Sequence, residues 1–105
     1  MTPEEAYDRL VGQLTARPGV ASGRMMASDG LRLGDKYFAM LHKGDLVVKL
    51  PAARVQELVG RGAGGQLTAG RRVMREWFTA PLDGPEDWRG LADEALAYAR
   101  ELAAG

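Results

Sequence analysis

The centre of the chain alternates short apolar runs with turn-forming residues. The breaks Asp29-Gly30, Gly34-Asp35 and Lys43-Gly44-Asp45 divide the runs, and such breaks between hydrophobic segments are typical of turns between antiparallel strands. We therefore expect Gly30 and Gly34 to lie in turns. The pattern predicts a β-meander with strands at 23–28, 30–34, 36–42 and 45–50.

Two of these strands carry much of the expected core. In 36–42, simple alternation places Phe38 and Met40 on one face and Tyr37 and Ala39 on the other. Because both faces are then largely apolar, this strand is expected in the centre of the sheet. Four side chains from the apolar faces of strands and helices are predicted to be core residues: Phe38, Leu46, Val48 and Trp88.

Three segments have the spacing and end signals of helices. The start Thr2-Pro3-Glu4-Glu5 combines a capping threonine, a proline suited to the first helical position and a glutamate that can close a capping box. This helix is predicted to end near Arg17. A middle helix is predicted at 51–59, and a longer one from Pro85 to the C-terminus.

The remaining segments complete the predicted architecture. Residues 60–70 hold five of the fourteen glycines and indicate a mobile loop, and a strand follows at 72–80. The resulting order, α-β-β-β-β-α-β-α, predicts one domain over 1–105 of the α+β class. We expect a two-layer sandwich, in which an antiparallel sheet of four to five strands packs against N-terminal, middle and C-terminal helices.

The charge balance and the absence of cysteine narrow the function. Fourteen Lys and Arg residues offset fourteen Asp and Glu residues, so binding to nucleic acid needs a local basic patch rather than an overall field. Without cysteine, disulfides, thiolate catalysis and Cys-based metal sites are excluded. No apolar run approaches the roughly 18 residues of a membrane span, and no secretory signal pattern opens the sequence. We expect a cytoplasmic protein without membrane contacts.

Residues that could carry catalysis are scarce. Residues 60–65 have the spacing G-x-G-x-x-G, but they follow a helix rather than a strand, which favours a flexible glycine loop over a phosphate cradle. His42 is the only histidine, which leaves too few ligands for a transition-metal site. We therefore predict a protein that is not an enzyme, with no catalytic residue, cofactor or metal. An enzyme that uses 60–70 as a lid is the least favoured alternative.

Arginines cluster around the strand at 72–80. On a strand, Arg75 and Trp77 share one face, where a guanidinium and an indole can contact an anion or a nucleic acid. The alternative is a salt-bridged strand whose tryptophan packs beneath a helix. The candidate binding residues are Arg24, Arg71, Arg72, Arg75 and Trp77.

A resemblance to a known family rests on four segments: Gly23-Arg24-Met25, Lys36-Tyr37-Phe38-Ala39-Met40-Leu41, Leu46-Val47-Val48-Lys49-Leu50-Pro51 and Gly70-Arg71-Arg72-Val73-Met74-Arg75-Glu76-Trp77. Over about residues 5–100 the chain resembles the N-terminal domain family of the competence regulator TfoX/Sxy. More distantly, it is similar to the MmcQ/YjbR-like proteins. The resemblance implies a small α+β fold implicated in DNA or protein interaction.

These observations predict a non-catalytic binding or regulatory module of the TfoX N-terminal type. We expect it to act through protein–protein contacts, with a protein partner or with a second copy of itself. A homodimer is favoured over a monomer because residues 37–41 and 46–50 contain few charges or prolines to protect a sheet edge. The alternative function is weak nucleic-acid binding through a basic patch at Arg71, Arg72 and Arg75.

Overall fold

The computed structural model describes residues 1–25 and 27–105, which form three helices and six strands. The helices are α1 (Pro3–Leu14), α2 (Ala52–Gly60) and α3 (Trp88–Ala104). The strands are β1 (Val20–Met25), β2 (Ser28–Leu33), β3 (Lys36–His42), β4 (Asp45–Lys49), β5 (Gly65–Ala69) and β6 (Arg72–Ala80). Among the helices of this described part, none is long and apolar enough to cross a membrane.

All six strands belong to one antiparallel sheet in the order β1-β2-β3-β4-β6-β5. The first four form the predicted meander, and β6 then pairs with β4, which leaves β5 at the far edge. This arrangement confirms the α+β sandwich, with one strand more than the upper end of the predicted range. The additional strand is β5, which lies within the segment predicted as a loop. Its residues pair with β6, the next strand along the chain, so a hairpin partner gives a glycine-rich segment its strand conformation.

Two strand boundaries differ from the predictions at the start of the sheet. The first strand ends at Met25 rather than spanning 23–28, and position 26 lies outside the described residues. Gly30 lies inside β2, where it pairs with Gly23 and Met40, so its predicted turn position is wrong. The prediction for Gly34 is confirmed, because it has a φ of +60° in the turn between β2 and β3.

The capping box at the start of α1 is confirmed. The backbone N–H of Glu5 donates to the Thr2 hydroxyl at 3.1 Å, and the backbone N–H of Thr2 donates to the Glu5 carboxylate at 2.8 Å. These bonds to Thr2 lower the pKa of Glu5. The helix ends at Leu14, shortly before the predicted end near Arg17.

All three helices contribute to one hydrophobic cluster on a single face of the sheet, which we call the inner face. The four predicted core residues, Phe38, Leu46, Val48 and Trp88, all belong to this cluster and are buried. The Trp88 indole N–H donates to the Ala80 carbonyl at 3.1 Å, so the polar atom of this buried ring has a hydrogen-bond partner.

A β-bulge changes the predicted faces of β3. Leu31 pairs with Ala39 and Arg32 pairs with Tyr37, which leaves Phe38 as an extra residue between the two pairs. Phe38 and Ala39 therefore both enter the inner cluster, whereas simple alternation had assigned them to opposite faces.

The sheet order also changes the argument for self-association. Two segments were expected to leave a sheet edge unprotected. Residues 37–41 lie in β3, and residues 46–50 lie in β4 and directly after it, and both strands are central in the sheet. The exposed edges belong instead to β1 and β5. The homodimer stays a prediction, without the edge that had favoured it.

Candidate functional site

The face of the sheet opposite the helices, here the outer face, carries its own buried residues. Met40 pairs with Val47, and Val47 pairs with Thr79, so these three side chains form a row across β3, β4 and β6. Met40 and Val47 are only 6% and 1% exposed, yet neither belongs to the cluster that contains the buried residues of the helices. Neighbouring side chains of the outer face therefore shield them from water.

The Tyr37 ring lies across two glycines of this face. A Cβ atom at Gly30 would stand 2.7 Å from Cδ2 of Tyr37, and one at Gly23 would stand 2.6 Å from its hydroxyl oxygen. The two glycines face each other across β1 and β2. The Tyr37 hydroxyl donates to the Arg24 carbonyl at 3.0 Å. The absence of a side chain at both glycines thus makes room for the ring, and the hydrogen bond fixes its end.

A second aromatic ring stands on β6 beside a lysine. Trp77 pairs with Lys49 of β4, and the Lys49 ammonium lies 6.0 Å from the centre of the indole. This distance is at the outer limit of a cation–π contact. The same ammonium is 3.9 Å from a carboxylate oxygen of Glu76, which is too far for a hydrogen bond. Lys49 thus keeps most of its donor capacity for other partners.

Two arginines extend this group of side chains. Arg32 pairs directly with Tyr37 across β2 and β3, and its guanidinium donates to the Gly34 carbonyl at 2.7 Å. Arg75 is exposed two residues before Trp77. Among the ion pairs of residues 1–25 and 27–105, none includes Arg32 or Arg75. We call Arg32, Tyr37, Lys49, Trp77 and Arg75 the basic–aromatic row.

The structure brings together only part of the candidate site predicted from the sequence. Arg75 and Trp77 lie in the row, whereas Arg71 and Arg72 are exposed at the tip of the β5–β6 hairpin. Arg24 was expected to add to this site, but it lies on β1, at the opposite end of the sheet order. The strand spacing puts β1 and β6 about 19 Å apart. There its guanidinium pairs with Asp29 at 3.2 Å.

The alternative interpretation of Trp77, burial beneath a helix, is also wrong. Phe78, its neighbour in β6, enters the inner cluster, so Trp77 points to the other side of the sheet. Glu76 is the residue that contacts a helix, because the Tyr98 hydroxyl of α3 donates to its carboxylate at 2.5 Å. This hydrogen bond raises the pKa of Tyr98 to about 12.

Sequence reasoning missed Arg32, Tyr37 and Lys49 as members of a site. Each stands alone in its own strand, and although the predicted meander makes these strands neighbours, their register was not predicted. Lys49 interrupts the apolar pair Val48 and Leu50, which does signal a side chain on the opposite face. The partners of that face follow only from the pairing of β2 with β3 and of β4 with β6.

The glycine-rich segment between α2 and β6 is not a phosphate cradle of the dinucleotide-binding type. Residues 60–65 connect the end of a helix to an edge strand, rather than a strand to a helix. A hollow of about 530 Å³ lies between α3 and the β2–β3 turn, and Tyr37 and Lys49 also line it. Residues 60–70 do not line it, so the structure gives no support to the lid of the enzyme alternative.

Comparison of the chain with protein-family models, with curated proteins and with solved structures finds no match. The resemblance to the TfoX/Sxy N-terminal domain family therefore stays a prediction from the sequence.

Proposed function

We propose that this chain is a non-catalytic binding module that holds a nucleic acid on the outer face of its sheet. One observation carries the proposal: Arg32 and Lys49, from two different strands, stand on one face beside two aromatic rings, and Arg75 is exposed two residues before one of them, Trp77. Phosphates attract such cations, and bases stack on such rings. The sequence had suggested nucleic-acid binding only as an alternative, at the arginines of the β5–β6 hairpin.

The distribution of ion pairs supports this location. Four arginines on the helical side of the molecule are paired with carboxylates, whereas Arg9 and Arg100 are in none of the ion pairs of the described residues: Arg17 pairs with Asp93, Arg54 with Glu57 and Glu94, Arg61 with Glu86, and Arg89 with Asp93. In the basic–aromatic row, the ion pair of the described residues is that of Lys49 with Glu76. The Lys49 ammonium lies 3.9 Å from a carboxylate oxygen of Glu76. A chain with zero net charge can thus carry a locally positive surface.

A protein partner, the first expectation from the sequence, fits this surface less well. Protein contacts commonly use a contiguous exposed apolar patch. The exposed large hydrophobic residues of the described chain are Met1, Val73 and Leu102, which lie at the N-terminus, on β6 and on α3. Their separation favours the cationic row over an apolar patch as the binding surface.

Fluorescence anisotropy with labelled nucleic acid tests the proposal. We expect binding that is about ten-fold weaker at ~150 mM than at ~50 mM salt, because roughly three phosphate contacts each release counterions. The triple variant Arg32→Gln, Lys49→Gln and Arg75→Gln should lose most of this affinity and most of the salt dependence. Arg9→Gln, on the exposed side of α1, is the matched control and should bind like the wild type.

A second variant tests whether the nucleic acid binds at the outer face or at the tip of the β5–β6 hairpin. Arg71→Gln with Arg72→Gln removes two of the three arginines in the basic patch that the sequence predicted, and it leaves the row intact. We expect a smaller loss than in the triple variant. A larger loss would move the site to the hairpin, and no binding to single-stranded or duplex nucleic acid at ~50 mM salt would refute nucleic-acid binding altogether.

A further inference from the structure

We infer that the nucleic acid on the outer face is single-stranded, with one base stacked on Tyr37 and another on Trp77. This inference rests on the proposed function and adds the strandedness of the ligand and the role of each ring. Its starting point is that two aromatic rings share a face with two cations, Arg32 and Lys49, and that one ring is held by contacts made before any ligand arrives.

Tyr37 has the features of a fixed stacking platform. Its ring lies across Gly30 and Gly23, and its hydroxyl is tied to the Arg24 carbonyl at 3.0 Å. One side of the ring thus rests on backbone, and Tyr37 is partly exposed, so a base can approach the ring from solvent. Because the ring is already ordered, stacking on it costs little side-chain entropy, which is the general advantage of a preorganised contact. A glycine pair beneath an aromatic ring therefore serves binding as well as packing.

The two rings are close enough to hold two bases of one strand. Tyr37 is on β3 and Trp77 is on β6, with β4 between them. The Tyr37 ring leans away from β4 and lies over Gly30 of β2, so three strand spacings, or about 14 Å, separate the two rings. Lys49 stands on the intervening strand with its ammonium 6.0 Å from the Trp77 ring. A strand with bases on the two rings would therefore carry its linking phosphates across Lys49, with Arg32 and Arg75 at either end.

A duplex fits this surface poorly for two physical reasons. Its bases are stacked on one another, so their flat faces are not available to Tyr37 or Trp77. The major groove, about 12 Å wide, admits a helix or a two-stranded ribbon, whereas the face of a six-stranded sheet is broader. Only phosphates could then reach the row, and the aromatic rings would contribute nothing.

Anisotropy with three probes tests strandedness: oligo-dT and oligo-rU of about 12 nucleotides, and a mixed duplex of about 12 base pairs. We expect at least one of the single strands to bind more tightly than the duplex. Tyr37→Leu and Trp77→Leu should each weaken single-strand binding by roughly 5- to 150-fold, the range for loss of one base stack. Neither should change duplex binding. Tyr37→Phe keeps the ring and should lose less than Tyr37→Leu.

Tryptophan fluorescence gives a readout that a merely structural role would not change. The chain has two tryptophans, Trp77 on the outer face and Trp88 in the inner cluster. Oligo-dT or oligo-rU should quench the emission of the Trp88→Phe variant, which reports on Trp77. The same probes should leave the Trp77→Phe variant unquenched. A circular-dichroism melt of each variant verifies that it is folded.

The outcomes separate this inference from the proposed function. Equal, salt-dependent binding of single strands and duplex, unchanged in both leucine variants, would overturn the stacking of single strands and leave the polyanion surface standing. Binding of the duplex alone would have the same meaning. Absence of binding to all three probes at ~50 mM salt would overturn the proposed function together with the inference.

Discussion

The inner and outer faces of the sheet bury their residues in different ways. Val48 and Val47 are neighbours in β4 and are both almost fully buried. Val48 packs in the cluster beneath the helices, whereas Val47 lies between Met40 and Thr79 on the face opposite to them. Burial alone therefore does not identify a core residue. The cover above the residue decides whether it stabilises the fold or forms the floor of a surface that can bind a ligand.

The strongest test of the inner face is Phe38→Ala. Phe38 is fully enclosed, so the substitution should leave a cavity that the helices cannot fill, at a cost of about 3–5 kcal/mol in the free energy of unfolding. Domains of this size have about 5–15 kcal/mol of stability in total. Thermal or urea unfolding measures the loss. A variant as stable as the wild type would show that the bulge does not direct Phe38 inward.

Substitution of the neighbouring residues Val47 and Val48 allows a direct comparison of how tightly the two faces are packed. Val48→Ala should lower the free energy of unfolding by about 2–3 kcal/mol, from lost burial and an enclosed cavity. Val47→Ala removes the same atoms, but the side chains of the outer face and water can fill the space, so about 1 kcal/mol is expected. Urea denaturation of both variants gives the difference. Equal losses would mean that the outer face is packed like the inner one.

The contact between the Tyr37 ring and Gly30 can be tested with a double-mutant cycle. Gly30→Ala places a Cβ atom 2.7 Å from the Tyr37 ring and should cost about 1–2 kcal/mol. In a Tyr37→Ala background this cost should largely disappear, because the obstructing ring is gone. Gly70→Ala is the control: its φ of +62° also disfavours alanine, but Tyr37→Ala should not relieve that strain. Additive effects for Gly30 would contradict the contact.

The smallest predicted effect lies at the margin between the faces, at Tyr98. Its hydrogen bond to Glu76 raises its pKa to about 12, above the ordinary value of 10.0. Because the folded state favours the protonated phenol, this stabilisation is present below about pH 10 and is lost as the pH rises through 12. An ultraviolet titration of the tyrosines, compared with Tyr98→Phe, identifies the group. In Glu76→Gln the pKa of Tyr98 should move back toward its ordinary value.

Self-association can be judged from the same structure. A dimer would now have to use β1 or β5, the strands at the ends of the sheet. β1 contains Arg24, whose charge discourages an edge-to-edge pairing, whereas β5 exposes Thr68 and Ala69 without any charge. Light scattering after size exclusion decides whether the predicted homodimer forms.

Local sequence patterns predicted most of the elements. The strands at 36–42 and 72–80 were predicted with their observed bounds, and the capping box of α1 was predicted residue by residue. Turn-forming pairs, end signals and apolar periodicity operate within a few residues, so they can be seen in the chain itself. The same patterns identified Phe38, Leu46, Val48 and Trp88 as core residues.

Tertiary structure alone decided the rest. The strand β5 has little tendency of its own and exists through its pairing with β6, and the bulge at Phe38 follows from the register between β2 and β3. The basic–aromatic row depends on both the bulge and the strand order, because its members are separated in the chain and meet only across the sheet. Cross-strand pairing is a non-local property, and no local pattern could have shown that Arg32, Tyr37, Lys49 and Trp77 share one face.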